Sequence, residues 1–291
     1  MKKQFFIILF VVLESSCLND TGNNEITTGI KENDLTEYNL KCKVNEISFI
    51  KYNAKDSFGI ALKDGIHKSD YDSLSSLEKT ISFNKEGYIT SKIKYNDGVI
   101  LSKANFIRDS LNRKIKKNVF NSEDELTGKQ IFKYNLNGKI SEMNSYNNNG
   151  EIQMKWIYIY EDNKVTRNDY YSSGRKVSRY IKTYNDEEDL IKLKYLDFED
   201  SKMNYINNYS YNHKENTVTQ INKSFYSIEI DDTKFFRKFN NAGVLIEETI
   251  NDFTTTKYQY EYDQHNNWTK QIWISNEFPR FIIERKIQYY D

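Results

Sequence analysis

The chain has 291 residues, and its 42 basic side chains balance its 42 acidic ones, which argues against a nucleic-acid partner. Hydrophobic residues make up only 38% of it, too few for a thick globular core, but aromatic residues reach 15%. Aromatic side chains suit the half-buried surface of a sheet, and a single proline leaves almost every residue able to donate a ladder hydrogen bond. The composition therefore predicts an all-β protein.

Cysteine and histidine are scarce. Cys17 and Cys42 offer one pair rather than a disulfide framework. The histidines, at positions 67, 213 and 265, lie far apart in the sequence, and none has a neighbour at metal-ligand spacing. We therefore expect no metal and no other cofactor.

The N-terminus has the features of an export signal. Lys2 and Lys3 precede the apolar run FFIILFVVL, which is too short to span a bilayer as a stable helix. Cys17 follows two serines, and this arrangement resembles the lipobox of bacterial lipoproteins, in which the cysteine is acylated and becomes the first mature residue. Glu14 departs from that pattern, which calls for an aliphatic residue there, and the alternative is an ordinary secretory signal with an incidental cysteine. We expect a signal peptide over 1–16, lipidation at Cys17, export, and anchoring in the cell envelope at the outer membrane.

Two less regular segments follow. Residues 17–36 are polar and rich in Asn, Thr and Gly, which is typical of a flexible tether behind a lipidated cysteine. Within 37–80, the alternation from Cys42 to Asn53 fits one or two strands, and the stretch 69–79 fits a short helix or a loop. We expect 37–80 to form an irregular N-terminal cap of the sheet, because terminal repeats are usually atypical.

A short phrase recurs through 81–291. It consists of an aromatic residue, Asn or Asp, two further residues, Gly or Asn, a variable residue and an aliphatic one, and it is best preserved in YNLNGKI and YNNNGEI. Complete or degraded copies lie at 83–89, 95–98, 120–126, 134–140, 146–152, 160–165, 171–177, 184–190, 211–218, 239–245 and 262–268. Such self-similarity is the signature of a repeat architecture, so 81–291 is predicted to be one β-repeat domain.

Each phrase is predicted to turn the chain. The Asn or Asp after the aromatic residue can accept a hydrogen bond from the backbone two residues on. The fourth position after the aromatic residue is Gly at 87, 138, 150 and 243 and Asn at 266, and these residues adopt positive φ most easily. The residues between phrases alternate as strands do, so we expect an antiparallel β-hairpin meander that forms an extended, curved sheet.

The phrases resemble the YD repeats of the RHS family. The likeness covers residues 40–291 and rests on YNLNGKI, on YDQHNNW near the end, and on the register of the copies between them. The whole arrangement resembles small RHS-repeat lipoproteins of Bacteroidota-type bacteria. Large RHS proteins wind such repeats into a shell around a toxin. This chain shows no RHS core signature or toxin tail, so the resemblance implies the repeat fold without the shell.

The sequence offers little for catalysis. Acidic runs at 123–125, 187–189 and 231–232 could serve glycoside hydrolysis, but they coincide with predicted turns and loops, where solvated charges are common. No nucleophile-elbow sequence (G-x-S-x-G) is present, and no histidine has an evident catalytic partner. We therefore expect a protein that is not an enzyme.

Aromatic stripes are the better candidate for a site. The candidate side chains are spaced to form a ladder on one face of a sheet: Trp156, Tyr158, Tyr160, Tyr258, Tyr260, Tyr262, Trp268 and Trp273. Exposed, such rings would stack on sugars or contact a partner protein; buried, they would form the core of a thin sheet. Because only 38% of the residues are hydrophobic, the rings are expected to be buried in the core. A site is expected where the repeat is interrupted, near 37–80 and near the tryptophan-bearing end.

Three functions fit these patterns. The preferred one is a membrane-anchored envelope lipoprotein that acts as a non-catalytic binding or scaffold module for a glycan or an envelope protein. The alternatives are an antitoxin- or immunity-like repeat protein and a glycoside hydrolase with acidic residues on the sheet.

Overall fold

The computed structural model describes residues 33–67, 79–224 and 232–291, which consist mostly of strands and the turns between them. Two short 3-10 helices occur in these ranges, at Thr36–Tyr38 and Ser201–Met203. None of the helices among the described residues has the length and apolar character needed to cross a bilayer. The strands in chain order are β1 (Val44–Ser57), β2 (Ile60–Ile66), β3 (Lys79–Phe83), β4 (Ile89–Asn96), β5 (Val99–Arg108), β6 (Lys114–Phe120), β7 (Leu126–Tyr134), β8 (Ile140–Asn147), β9 (Ile152–Glu161), β10 (Lys164–Tyr171), β11 (Lys176–Tyr184), β12 (Leu190–Asp197), β13 (Tyr205–Asn212), β14 (Thr217–Ser224), β15 (Asp232–Phe239), β16 (Leu245–Ile250), β17 (Thr254–Tyr262), β18 (Trp268–Ser275) and β19 (Phe278–Tyr289).

The sheet is antiparallel and closes on itself. From β3 to β19, each strand pairs with the next one in the chain. The strand β1 pairs with β19 along one edge and with β3 and β2 along the other. Over the described ranges, β1 and β3–β19 therefore form a closed ring of 18 strands, and β2 lies beside the second half of β1.

The prediction of an all-β antiparallel fold is confirmed, but the prediction of an extended, curved sheet is wrong. Closure depends on pairs of residues far apart in sequence, such as Ile47 with Ile287 and Phe49 with Arg285. No short-range pattern reveals such pairs. The segment 37–80, expected to cap the sheet, contributes the strand that closes it. Closure gives backbone partners to two edges that an open sheet leaves unpaired.

The barrel wall has two faces with different chemistry. Following the register from strand to strand, one face carries Ile47, Phe49 and Ile283 on one side of the ring and Tyr158 and Tyr180 on the other. The N-terminal residues 33–43 pack on this face. We therefore call it the inner face.

Charged side chains are frequent on the outer face. Glu142 pairs with Lys133 and Lys155 on the two neighbouring strands, with N–O distances of 2.8 and 3.0 Å. Glu261 and Lys270 pair across β17 and β18 at 2.8 Å. Such pairs keep their charge at little cost when they face water, whereas a charged side chain in hydrocarbon costs about 2–4 kcal/mol.

The recurring phrases form the turns, as their sequence predicts. Asn240 shows the pattern, because its Oδ1 accepts from the backbone N–H groups of Ala242 and Val244, both at 3.0 Å. The fourth position after the aromatic residue has positive φ, from 57° at Asn266 to 83° at Gly150. The acidic runs at 123–125 and 187–189 lie in two of these turns. The Asn and Gly of the phrase are therefore explained by backbone geometry.

Successive turns lie at opposite ends of the barrel, because each strand reverses the chain. We call the end that carries the turns 84–88, 135–139 and 263–267 the first end. Tyrosines at this end tie one hairpin to the one before it. Their hydroxyls donate to backbone carbonyls just after the previous turn: Tyr134 to Lys114 at 2.8 Å, Tyr160 to Ile140 at 2.9 Å and Tyr211 to Leu190 at 3.0 Å.

The hydrophobic core occupies one part of the ring, which we call the closing sector (residues 33–43 with β17–β19, β1, β3 and β4). Its buried residues are Leu35, Leu40, Val44, Ile47, Phe49, Ile81, Phe83, Ile89 and Ile283. Gly87 shows how closely 33–43 is packed: a Cβ added there would lie 2.5 Å from Asn33 Nδ2 and 2.7 Å from Leu35 Cδ1. The carboxylate of Asp34 pairs with Arg108 and Lys114.

The strands β7–β13, on the other side of the ring, form what we call the opposite sector. Among the described residues, its buried side chains are polar: Asn144, Asn168, Asp169, Ser178 and Asn207. The segment 33–43 packs in the closing sector, so it does not fill the inner face here. The opposite sector is therefore the place to look for space inside the barrel.

Candidate functional site

The structure places the predicted aromatic side chains on the inner face, but in two groups. Trp156, Tyr158 and Tyr160 lie on β9 in the opposite sector. The remaining rings lie on β17 and β18 in the closing sector, on the other side of the ring. The expected continuous ladder is therefore divided in two. Cys17, the predicted lipidation site, lies outside the described residues.

In the closing sector the rings are packed against one another and against the core. Tyr258 meets Trp273 edge to face at a centroid distance of 5.5 Å, and Tyr260 meets Trp268 at 5.9 Å. The Arg285 guanidinium lies 3.8 Å from the centroid of the Trp268 ring. Burial raises the pKa values of Tyr258 and Tyr260 to about 12. This group serves the core.

Tyr262 differs from its neighbours because 45% of it is exposed. It lines a cavity of about 520 Å³ at the first end, together with Trp268, Leu40 and asparagines from two turns and the N-terminal segment. The Trp268 ring is already packed against Arg285 and Tyr260, so Tyr262 is the ring that this cavity offers to a ligand.

In the opposite sector the rings line a cavity. Tyr158 and Tyr160 on β9, with Tyr180 and Tyr184 on β11, surround about 340 Å³ on the inner face. The other lining residues are Val165, Arg167 and Lys182. Tyr158 lies opposite Arg167, which in turn lies opposite Tyr180, so three neighbouring strands build the site. We call it the tyrosine pocket.

Arg167 is held in the middle of the pocket by Asp169. Its Nε and Nη2 donate to the two carboxylate oxygens at 2.8 and 3.0 Å, and the Ser178 hydroxyl donates to the same carboxylate at 2.8 Å. The guanidinium carbon lies 4.1 Å from the centroid of the Tyr180 ring. A tyrosine hydroxyl is protonated at neutral pH, and burial raises the pKa of Tyr158 further above its ordinary value. The pocket thus combines ring faces with fixed hydrogen-bond donors.

The row of rings continues beyond the pocket. Tyr195 on β12 lies opposite Tyr180, with ring centroids 4.6 Å apart. Tyr205 on β13 stacks on Tyr195 at 5.1 Å, with an interplanar angle of 28°. With Tyr158 and Arg167, these side chains cross the inner face from β9 to β13. Tyrosine rings with hydroxyls at their edges offer both an apolar surface and hydrogen bonds.

Sequence reasoning missed half of the tyrosine pocket. The stretch RYIKTY on β11 places Tyr180, Lys182 and Tyr184 on one face, by the same alternation that singled out Tyr158 and Tyr160 on β9. That signal was available. The sequence did not reveal that β9 and β11 lie in the sector where residues 33–43 do not pack.

A surface cluster at the first end brings together Glu187, Asp189 and His213, whose nearest oxygen and nitrogen atoms lie within 4.8 Å of one another. His213 Nε2 lies 2.9 Å from Asp189 Oδ2, and this interaction lowers the pKa of Asp189. The His213 ring also stacks on Tyr211 at 5.8 Å. A surface hydrogen bond between two turns accounts for this arrangement.

No protein-family model matches this sequence, and no curated protein matches it. Among solved structures, a porin-like protein from Bacteroides uniformis is 11% identical over 86% of this chain and 98% of that chain, with a TM-score of 0.43. A porin-like protein from Bacteroides vulgatus is 8% identical over 85% and 98%, with a TM-score of 0.29. The Photorhabdus luminescens Tc holotoxin pore is 13% identical over 70% of this chain and 11% of that chain, with a TM-score of 0.32. Likenesses this weak carry no argument about this chain.

Proposed function

We propose that this protein is a membrane-anchored lipoprotein of the cell envelope that binds a glycan, without catalysis, in the tyrosine pocket. One observation carries the proposal: Tyr158 and Tyr160 face Tyr180 and Tyr184 across Arg167, around a cavity that no side chain of residues 33–43 lines. The four rings are presented to an incoming molecule, whereas the similar rings of the closing sector are packed.

A glycan is the ligand class that this chemistry fits best. Sugars present C–H faces that pack on aromatic rings and hydroxyls that need hydrogen-bond partners. Tyr158 and Tyr180 supply rings, and Arg167 and Lys182 supply N–H donors. A purely apolar ligand would bury these polar groups without partners, which is costly. The volume of about 340 Å³ is at the small end for ligand pockets and suits a short stretch of a longer glycan.

The N-terminal sequence supports the proposed location in the cell envelope. A basic start, a short apolar run and Cys17 after two serines fit the processing of a lipoprotein, whose acyl chains hold a folded domain at a membrane. The likeness of the turn phrases to the YD repeats of RHS lipoproteins points the same way.

Binding to a glycan array, followed by calorimetric titration of the best oligosaccharide, tests the ligand. Tyr158→Ala and Tyr180→Ala should each weaken binding about tenfold, because each removes a ring worth roughly 1–1.5 kcal/mol. Tyr146→Ala is the matched control, since Tyr146 lies on the outer face of β8, beneath Lys129. Its affinity should equal that of the wild type. Absence of binding to every glycan, or an equal loss in the control, refutes glycan binding in this pocket.

The anchor is tested separately. Labelled palmitate should enter the protein in a bacterial host and should be lost in Cys17→Ala. The chain has one other cysteine, Cys42, so a disulfide between the two is the competing fate of the Cys17 thiol. Intact mass distinguishes an acylated from a disulfide-bonded protein. A chain without label would remove the lipoprotein part of the proposal and leave the glycan part standing.

A further inference from the structure

Four lysines converge on the inner face between β3 and β6. Lys79 lies directly opposite Lys94, and Lys92 lies opposite Ile81 on β3 and Ala104 on β5. Lys117 on β6 lies opposite Phe106, on the same face. Each of the four is only partly exposed. The register alone therefore gathers four cations on one patch of the wall.

Such a patch is costly unless an anion neutralises it. Like charges placed directly across an antiparallel pair destabilise it, and Lys79 and Lys94 are placed so. Burial lowers the pKa of Lys117, and the charges of Lys92, Lys94 and Lys114 lower it further. The pKa of Lys79 is lowered in the same way, by burial first and then by Lys92. The mutual influence shows that these ammonium groups share one space.

Within the described residues, few acidic side chains lie near Lys79, Lys92 and Lys117. Asp34 is engaged by Arg108 and Lys114, and Glu37 is the other acid whose charge acts on Lys79 and Lys92. Lys92 donates to the Tyr38 hydroxyl at 2.9 Å. Within the described part of the chain, Lys117 has no hydrogen bond or ion pair.

Two arginines on the inner face have carboxylate partners. Arg167 pairs with Asp169 at 2.8 Å, and Arg237 pairs with Glu248 at 2.6 Å. Among the described residues, Lys79, Lys92 and Lys117 have no carboxylate at ion-pair distance, unlike these two arginines. A surface that keeps Lys79, Lys92 and Lys117 close together is suited to an anion from outside the chain.

We propose that Lys79, Lys92 and Lys117 form a binding site for an oxyanion of the phosphate or sulfate type on the inner face. The strands β4 and β6 lie about 10 Å apart, and β5 presents the small side chains of Ala104 and Ser102 between them. Long lysine side chains can close over an anion in that space and donate to its oxygens. The site is separate from the tyrosine pocket and does not depend on glycan binding.

Calorimetric titration of the purified protein with sodium pyrophosphate at low ionic strength tests the site. The wild type should bind, and Lys117→Gln should weaken binding about tenfold, as expected for a lost charge-assisted hydrogen bond. The triple variant Lys79→Gln, Lys92→Gln, Lys117→Gln should not bind. Melting of Lys117→Gln without anion checks the fold, and its melting temperature should not fall, because the change removes a like charge.

Lys116→Gln is the matched control, since it removes the same charge from the outer face of the same strand. It should bind pyrophosphate as the wild type does. Glucose 6-phosphate and inorganic phosphate, compared at equal concentration, distinguish the source: tighter binding of the sugar phosphate assigns the site to a phosphorylated glycan, and equal binding assigns it to a free oxyanion. No binding by the wild type, or equal weakening by Lys116→Gln and Lys117→Gln, overturns the proposal.

Discussion

The closing sector and the opposite sector are built from the same phrase, yet their interiors differ. Ile47 and Ile81 in the closing sector are completely buried, at 0% exposed. In the opposite sector the buried side chains of the inner face are polar, such as Asp169 and Ser178, and tyrosines line a cavity. The difference comes from residues 33–43, which pack on the inner face in the closing sector. A repeat can supply the wall, while a non-repeated segment decides which part of the interior is dry.

The comparison separates two roles of one residue type. Tyr260 and Tyr158 both alternate inward on a strand flanked by phrases, but Tyr260 meets Trp268 in the core, whereas Tyr158 faces open space. An aromatic stripe therefore has no fixed meaning in such a barrel. Its role depends on what lies across the inner face from it.

The largest contrast should come from tryptophan. Trp268→Ala should lower the free energy of unfolding by about 3 kcal/mol, because it removes a ring that Phe49, Tyr260 and Arg285 all contact. Trp156→Ala, in the opposite sector, should cost about 1 kcal/mol, as an average substitution does. Urea unfolding followed by circular dichroism measures both. Equal costs would show that the two sectors are packed alike.

The second contrast uses two glycines in equivalent turns. Gly87 and Gly138 have φ of 81° and 73°, so alanine at either should cost about 1 kcal/mol in backbone strain. A Cβ at Gly87 would also collide with Asn33 and Leu35. A Cβ at Gly138 would have no described neighbouring atom within 4 Å. Gly87→Ala should therefore cost roughly 1–2 kcal/mol more than Gly138→Ala. Thermal melts of both variants test whether 33–43 is docked as described.

A smaller effect is expected at the rim of the opposite sector. Tyr134→Phe removes the hydrogen bond from this hydroxyl to the Lys114 carbonyl and should cost about 1 kcal/mol. Tyr146→Phe, at the other end of the next strand, should be nearly neutral, because the structure gives its hydroxyl no such bond among the described residues. The midpoints of urea unfolding, compared between each variant and the wild type at equal m-value, measure both costs. A neutral Tyr134→Phe would mean that the rim bonds add nothing to stability.

The smallest effect at neutral pH concerns the tyrosines of the closing sector and becomes visible in alkali. Burial raises the pKa values of Tyr258 and Tyr260 from 10.0 to about 12, so folding favours their protonated form. That contribution to stability is fully present below pH 10 and is lost as the pH rises towards 12. Melting temperatures across this range should fall less steeply for Tyr258→Phe than for the wild type. Identical slopes would show that Tyr258 titrates normally.

Local structure was well within reach of the sequence. The Asn of each phrase accepts backbone hydrogen bonds, and Gly87, Gly138 and Gly150 adopt positive φ, because these are properties of a few adjacent residues. The antiparallel order follows from the short distance between turns. The alternation on β9 and β17 also placed the candidate rings on one face.

Closure was out of reach, because it depends on contacts such as that between Arg285 Nη1 and the Tyr38 carbonyl, 247 positions apart. Without closure, the inner face could not be told from the outer face. The tyrosine pocket and the lysine patch therefore stayed hidden, although Tyr180 and Lys117 were plain in the sequence. A site was expected near the tryptophan-bearing end, and the structure packs Trp268 and Trp273 there against the core.

The alternation of turns between the two ends limits how such a chain can vary in length. A ring in which every strand runs against both neighbours needs an even number of strands. Loss of one phrase would reverse all later strands, and β19 would then reach β1 in the wrong direction. Inward-facing rings on the strands after the lost phrase would also move to the opposite end of the barrel. Viable length variants of this barrel should therefore gain or lose whole hairpins of two phrases, and never a single phrase.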